Sequence, residues 1–317
     1  MTSAFVALLV AFALGIVTGP PFIRLLIRFR LGKQIRLEGQ EHHLAKQGTP
    51  TMGGMLFVSI AAVVTLILAP DLASLVPYFL AIGLYALFGA LDDVANIRSH
   101  EGIGFKIRAQ LLWQLIFAAV VALLLYLGPS GGALRIPFVG ATDLRLAFVP
   151  FAMLVIYATT SAANVIDGLD GLAGGTIGIA IATFGVLALG RGQVVLAVAA
   201  AALVGSLLAF LWFNVHPARV FMGGTGSLGL GAALAVLALG TGDALLLPVV
   251  AAPLVLVLVS VMLQVGYFRL TGGRRLFRRA PLHHHLELIG WPETQIVGRF
   301  WIAATVAGAC GLLLVRL

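Results

Sequence analysis

The chain has 317 residues, 61% hydrophobic and 10% charged, whereas soluble domains carry about 45–50% apolar and about 25% charged residues. A water-soluble fold of this size cannot hide so much apolar surface, so a soluble enzyme, a nucleic-acid-binding module and a disordered scaffold are excluded. The net charge of +8 then belongs to loops facing anionic headgroups or to a phosphorylated substrate.

A spanning helix needs about 20 apolar residues. Ten candidate segments occur, at 4–23, 52–69, 77–91, 110–128, 146–163, 172–190, 193–213, 227–241, 245–267 and 299–315. They predict an all-α, polytopic integral membrane protein with about ten transmembrane helices in a single domain, 1–317. No cleavable signal peptide is expected, because the first segment has no basic leader. Cys310 is the one cysteine and can form no internal disulfide. Sixteen of the 20 Lys and Arg residues fall in or beside the connections 24–51, 92–109, 164–171, 214–226 and 268–298. The positive-inside rule places these connections in the cytoplasm and both termini outside. The polar motifs lie on the same side, which predicts an active site at the cytoplasmic face.

The first motif is Asp92-Asp93 at the end of the third segment. Adjacent carboxylates at a membrane boundary favour a divalent cation or a shared proton, unless they are two solvated charges at a helix end. The second is Asn164-Val165-Ile166-Asp167-Gly168-Leu169-Asp170-Gly171-Leu172. On a helical turn Asp167 and Asp170, three apart, would face the same way and could hold a metal or a nucleotide; the plainer alternative is an Asp helix cap. Met222-Gly223-Gly224-Thr225-Gly226-Ser227 would offer backbone N–H groups to a phosphate at a helix start, or would be a tight interfacial loop. It lacks the lysine of an ATP-binding P-loop.

His283-His284-His285 follows a basic stretch, Arg274, Arg275, Arg278 and Arg279. Three consecutive histidines cannot all face one zinc ion. One or two could bind phosphate or relay a proton, or the run could simply lie on the surface. The arginines are expected to be topological anchors. Trp113, Trp212, Trp291 and Trp301 lie near segment ends and are expected in the aromatic belts. His100 and His216 carry no spacing signal.

Taken together, Lys46 to Gly54 (KQGTPTMGG), Asp92-Asp93, Asn164 to Leu172, Asn214 to Gly229 (NVHPARVFMGGTGSLG) and Pro281 to Trp301 (PLHHHLELIGWPETQIVGRFW) resemble the phospho-N-acetylmuramoyl-pentapeptide transferases. These belong to the polyprenyl-phosphate N-acetylhexosamine-1-phosphate transferases. The resemblance runs from about residue 20 to the C-terminus. It implies ten helices, a homodimer and a multi-pass protein of the bacterial inner membrane. It implies Mg²⁺-dependent transfer of phospho-MurNAc-pentapeptide from UDP-MurNAc-pentapeptide to undecaprenyl phosphate, giving lipid I and UMP, with membrane lipids as surroundings and no nucleic-acid partner.

By the same resemblance Asp92, Asp93 and His283 are the catalytic residues, with Asp92 near the metal. Asn164, Asp167, Gly168 and Asp170 would line the uridine side, near Lys46 and Thr51. Phe221 would flank the uracil, while Asn214 and Gln264 would hydrogen-bond the substrate. His284 and His285 would hold the nucleotide-sugar, and Lys106 would add positive charge near the diphosphate. One position departs from the family. Gly224 stands where relatives have the aspartate that ligates Mg²⁺, and glycine offers no oxygen to a hard cation, so reduced activity is expected. Ile166 replaces a common threonine and is closer to the wider superfamily. The alternatives are a transferase of N-acetylglucosamine phosphate, whose relatives carry His-x-His-His, and a transporter, which would need carboxylates near mid-span.

Overall fold

The computed structural model describes residues 1–32, 48–99, 104–128 and 131–316, without the side chain of residue 316. The helices are α1 (Thr2–Arg28), α2 (Gly54–Leu68), α3 (Val76–Arg98), α4 (Ile107–Leu127), α5 (Phe148–Ile166), α6 (Leu172–Gly190), α7 (Val194–Asn214), α8 (Gly223–Gly240), α9 (Ala252–Leu270), α10 (Leu282–Leu288) and α11 (Glu293–Arg316). A helical turn, Leu247–Val250, precedes α9. Among the described residues, nine of these helices are long and apolar enough to cross a bilayer. The second predicted segment forms α2, which has 15 residues. It is wedged among α1, α7 and α8.

The all-α membrane architecture is the one that composition demands, with one small addition. Strands β1 (Ala133–Ile136) and β2 (Gly140–Asp143) form an antiparallel hairpin, Ala133 opposite Asp143 and Ile136 opposite Gly140. Arg135 N–H donates to Gly242 O, which seats the hairpin on the connection after α8.

Helix α8 is the core. Its sequence is apolar or small on every face, and a helix of that kind must be buried all round. Every residue from Thr225 to Leu239 is buried, against α3, α5 and α6. Helix α1 shows the opposite design. Ala4, Ala7, Ala11, Gly15, Gly19, Ile23 and Leu26 are buried in one stripe spaced by three or four residues, and the small ones let it lie close against α7. Its other faces expose Phe5, Leu9 and Val17, as a lipid-facing surface does.

Hydropathy marked the apolar centres and missed some ends. Helix α3 does not stop at Leu91 but continues to Arg98. Helix α8 starts at Gly223 and α11 at Glu293. A backbone ladder needs no apolar side chain, so each helix continues beyond its hydrocarbon segment. These extra turns carry the site.

Candidate active site

The ends of α3, α5 and α7 meet the starts of α6 and α8 at one end of the bundle. The first contact is between Asp93 and α8. Gly224 N–H donates to Asp93 Oδ1 at 2.9 Å, and Thr225 N–H and Oγ1–H donate to Oδ2 at 3.1 and 2.8 Å. The start of a helix carries orphan N–H groups and a partial positive charge. No side chain of α8 itself caps it, and a carboxylate from α3 does so instead. The fit depends on backbone meeting backbone. A Cβ on Gly89 of α3 would lie 2.2 Å from Gly224 O, and Gly223 has φ +73° with the place of its Cβ taken by Asp93 and Thr51.

Asp92 points elsewhere. It accepts hydrogen bonds from Phe105 N–H at 2.6 Å and Gln110 Nε2 at 3.1 Å. The two carboxylates thus serve different neighbours, because adjacent residues on a helix diverge by about 100°. Both still border one cavity of about 180 Å³, with Thr51, Asn96, Asn164, Asp167, Gly223 and Gly224. Asn96 was not picked out from the sequence. It lies four residues after Asp92 and three after Asp93 on α3, the spacing that shares a helix face, and was hidden by ending the helix at Leu91. Asn164 accepts from Ser227 Oγ at 3.2 Å and joins α5 to α8.

The Asp167–Asp170 expectation needs correction. Residues 167–171 are turn rather than helix, so the spacing of three does not put both carboxylates on one face. Asp167 caps the end of α5 and borders the acidic cavity. Asp170 is buried and turned away, with Oδ2 3.1 Å from His216 Nδ1 and 3.2 Å from Ala218 N. Glu293, at the start of α11, completes this second cluster: its Oε1 accepts Asp170 N–H at 2.7 Å and its Oε2 lies 3.4 Å from His216 Nδ1. His216 and Glu293 lie inside the motifs that carry the resemblance, but no spacing pointed to this cluster, since three distant segments build it. Asn214 locks the same turn, accepting from Gly171 N–H at 3.0 Å and donating to Val220 O at 2.8 Å. Trp301 is no belt residue: its Nε1–H reaches Gly171 O at 3.2 Å. Trp291 lies under the Arg299 guanidinium, 4.0 Å from the ring centre.

The three histidines sit on α10 and diverge. His283 is fully buried, and neither ring nitrogen has a partner. Its ring lies against Gly168, where an added Cβ would come within 2.5 Å of Nε2. Burial, and then the neighbouring His284, push its pKa down to about 3, so it is neutral at physiological pH. A buried polar group without a partner is uncommon in a folded protein, and this imidazole lies against the turn whose Asp167 borders the acidic cavity. His284 bonds Glu287 at 2.6 Å, and His285 Nδ1 accepts Arg278 N–H at 3.2 Å.

Gln264 is also used internally, accepting from Leu276 and Phe277 N–H and donating to Phe277 O. Phe221 is half-buried; its N–H donates to Pro50 O and its O accepts from Gly53 N–H. Lys106 is exposed at the start of α4, beside the Phe105 amide that binds Asp92. Lys46 lies outside the described residues. Thus Asp92, Asp93, Thr51, Asn164, Asp167 and Gly224 share a cavity, Gly168 joins His283, and Asp170, Asn214 and Gln264 hold loops in place. Among the described residues every Asp and Glu lies in the last turns of a helix, in its first turn, in the β-hairpin or in a connection.

Comparison with known proteins gives the family of the chain. A family model described as glycosyl transferase family 4 matches residues 75–242. The chain is 45% identical over 321 residues to the phospho-N-acetylmuramoyl-pentapeptide-transferase of Moorella thermoacetica, covering 100% of both chains. It is 43% identical to the protein of that name from Heliobacterium modesticaldum, over 97% of this chain and 96% of the relative. It is 41% identical to that of Desulforapulum autotrophicum, over 93% and 88%.

Proposed function

Because this chain belongs to the phospho-N-acetylmuramoyl-pentapeptide-transferase family, we propose that it moves phospho-MurNAc-pentapeptide from UDP-MurNAc-pentapeptide to undecaprenyl phosphate. The products are lipid I and UMP. The observation that carries the reading is the acidic cavity at the capped start of α8, with a buried, unpartnered imidazole on the adjoining turn. In our reading that end of the bundle faces the cytoplasm of a bacterial cell, the termini lie outside, and the protein works as a homodimer.

In the proposed reaction an oxygen of the lipid phosphate attacks the sugar-linked phosphorus of the donor. That P–O bond forms as the bond to the bridging oxygen breaks, and the electron pair leaves with UMP. Two polyanions must approach, so charge neutralisation and positioning are the main tasks. The cavity's donors are carboxylate, carboxamide and hydroxyl oxygens, a set that suits Mg²⁺. Asp92 and Asp167 would hold the ion, with Asn96 and Asn164 beside them; Asp93 already accepts three hydrogen bonds. Bound there, Mg²⁺ would supply electrostatic stabilisation of the phosphate oxygens. Neutral His283 can accept a hydrogen bond at the Gly168 turn. Asp170, fixed by His216 and Glu293, would orient the nucleotide side.

Gly224 leaves the ion one carboxylate short. A Cβ at this position would come no closer than 3.3 Å, to Gly89 O, and 3.5 Å to Asp93 Oδ1. An aspartate therefore fits with a small adjustment. The deciding experiment compares Mg²⁺-dependent UMP release by this chain and by Gly224→Asp. Faster turnover by Gly224→Asp, by about a hundredfold or more, is the expectation for a lost electrostatic contact at the reacting phosphates. Equal turnover would remove position 224 from the mechanism, and no turnover by either would reject these substrates.

A further inference from the structure

Where α9 leaves the bundle, a second cavity of about 610 Å³ opens away from the acidic site. No residue of α9 is buried from Val261 onward, and Met262, Leu263, Val265 and Phe268 are exposed. In a spanning helix this stretch meets lipid. The cavity is lined by apolar Val265 and Phe268 and by Arg269, Arg275, Arg278 and Arg279. Among the described residues no carboxylate pairs with any of these four guanidinium groups. Positive-inside anchoring would account for arginines in this loop but not for their convergence on one cavity. The loop is also held firmly, by three hydrogen bonds between Gln264 and residues 276–277.

Unbalanced guanidinium groups beside an apolar, lipid-facing wall match an amphiphile with a phosphate head and hydrocarbon tails. We propose that this cavity binds an anionic membrane phospholipid, its phosphodiester on Arg275 and Arg279 and its chains along the Val265–Phe268 face of α9. Binding would be felt at the histidine helix, because Arg278 donates through Nη1 to Leu288 O at the end of α10 and through its N–H to His285. An anionic lipid would thereby steady α10 and its buried His283. This inference needs only the cavity and its charges, and stands apart from the identity of the transferred sugar.

The test uses the full-length purified chain in nanodiscs containing phosphatidylglycerol or phosphatidylcholine of identical acyl chains. A photoactivatable phosphatidylglycerol is cross-linked and the modified peptides are mapped; lipids retained after detergent extraction are counted by native mass spectrometry. Cross-links in 261–288 and preferential retention of phosphatidylglycerol are expected. Arg275→Gln with Arg279→Gln should lower retention about thirtyfold, while Arg24→Gln with Arg28→Gln should leave it unchanged. If the double variant does not fold, the cross-link map of the unaltered chain still decides. Equal retention of both lipids, cross-links elsewhere, or undiminished binding by the folded double variant would overturn the proposal. So would displacement of the lipid by millimolar inorganic phosphate, or one-for-one displacement by undecaprenyl phosphate, which would assign the cavity to a free anion or to the prenyl phosphate.

Discussion

Asp92 and Asp93 are neighbours in the chain with separate work, and substitutions should separate them. Asp93→Ala removes the acceptor for three donors at the start of a buried helix. Hydrogen bonds to a charged group contribute about 1.5–3 kcal/mol each at most, and stranding their donors adds to the loss. The melting temperature of Asp93→Ala in detergent should therefore fall well below that of Asp92→Ala, whose partners are the exposed Phe105 amide and the half-buried Gln110. Equal melting temperatures would remove Asp93 as the cap of α8. His283 gives a pH signature. Its folded pKa of about 3 lies below the ordinary value of 6.5, so between these values the unfolded chain holds the extra proton. Stability is complete above pH 6.5 and is lost as pH falls from there toward 3. In melting curves recorded from pH 8 to 4, His283→Phe should flatten this dependence by about one proton. An unchanged slope would mean that His283 is not neutral in the fold. Both aspartates and the histidine run were legible in the sequence as residue types out of place in a membrane protein. Their individual roles were not, because which way a side chain points depends on helix phase.

Among the elements, the turn between α5 and α6 departs most from its sequence reading. The motif Asn164 to Leu172 was visible as a polar break between two apolar segments. Its geometry was not, because three-residue spacing has directional meaning only on a helix, and Asp167 to Gly171 is turn. Asn96 was within reach, since it repeats the face of Asp92 and Asp93 once α3 is continued past its apolar stretch. His216 and Glu293 were beyond reach: their meaning lies in meeting Asp170, across 46 and 123 residues of chain. Glu293→Ala should loosen this turn without touching the acidic cavity. The expected result is a KM for the uridine substrate raised about tenfold, the scale of one lost charged hydrogen bond, with kcat nearly unchanged. A fall in kcat alone would place Glu293 in the chemistry instead.

At the scale of the whole molecule, hydropathy and charge asymmetry were enough for the all-α membrane architecture and for gathering the motifs at one end, although of the ten predicted segments the second forms the 15-residue α2 and, among the described residues, nine helices have spanning length. The opposite end holds a different kind of anchor. Arg191 binds Asp243 through Nε and Nη2, both at 2.7 Å, and Asp243 is buried. Arg191→Ala would strand that carboxylate, at a cost of about 3–5 kcal/mol. Thermal unfolding should show the loss, while UMP release per folded molecule in the Gly224→Asp background should stay the same; a matching loss of turnover would mean that the two ends are coupled. The cap on α8 has a further consequence, for how the protein is made. Its donors and acceptor are 131 and 132 residues apart, so the cap forms only when α8, made after α3, packs against it. Until they meet, the amide groups at the start of α8 lack a side-chain cap of their own. Completing the bundle and completing the acidic cavity are then one event during biogenesis. A chain whose α3 and α8 have failed to dock lacks the cap and the cavity alike, so a misassembled bundle offers its substrates no site.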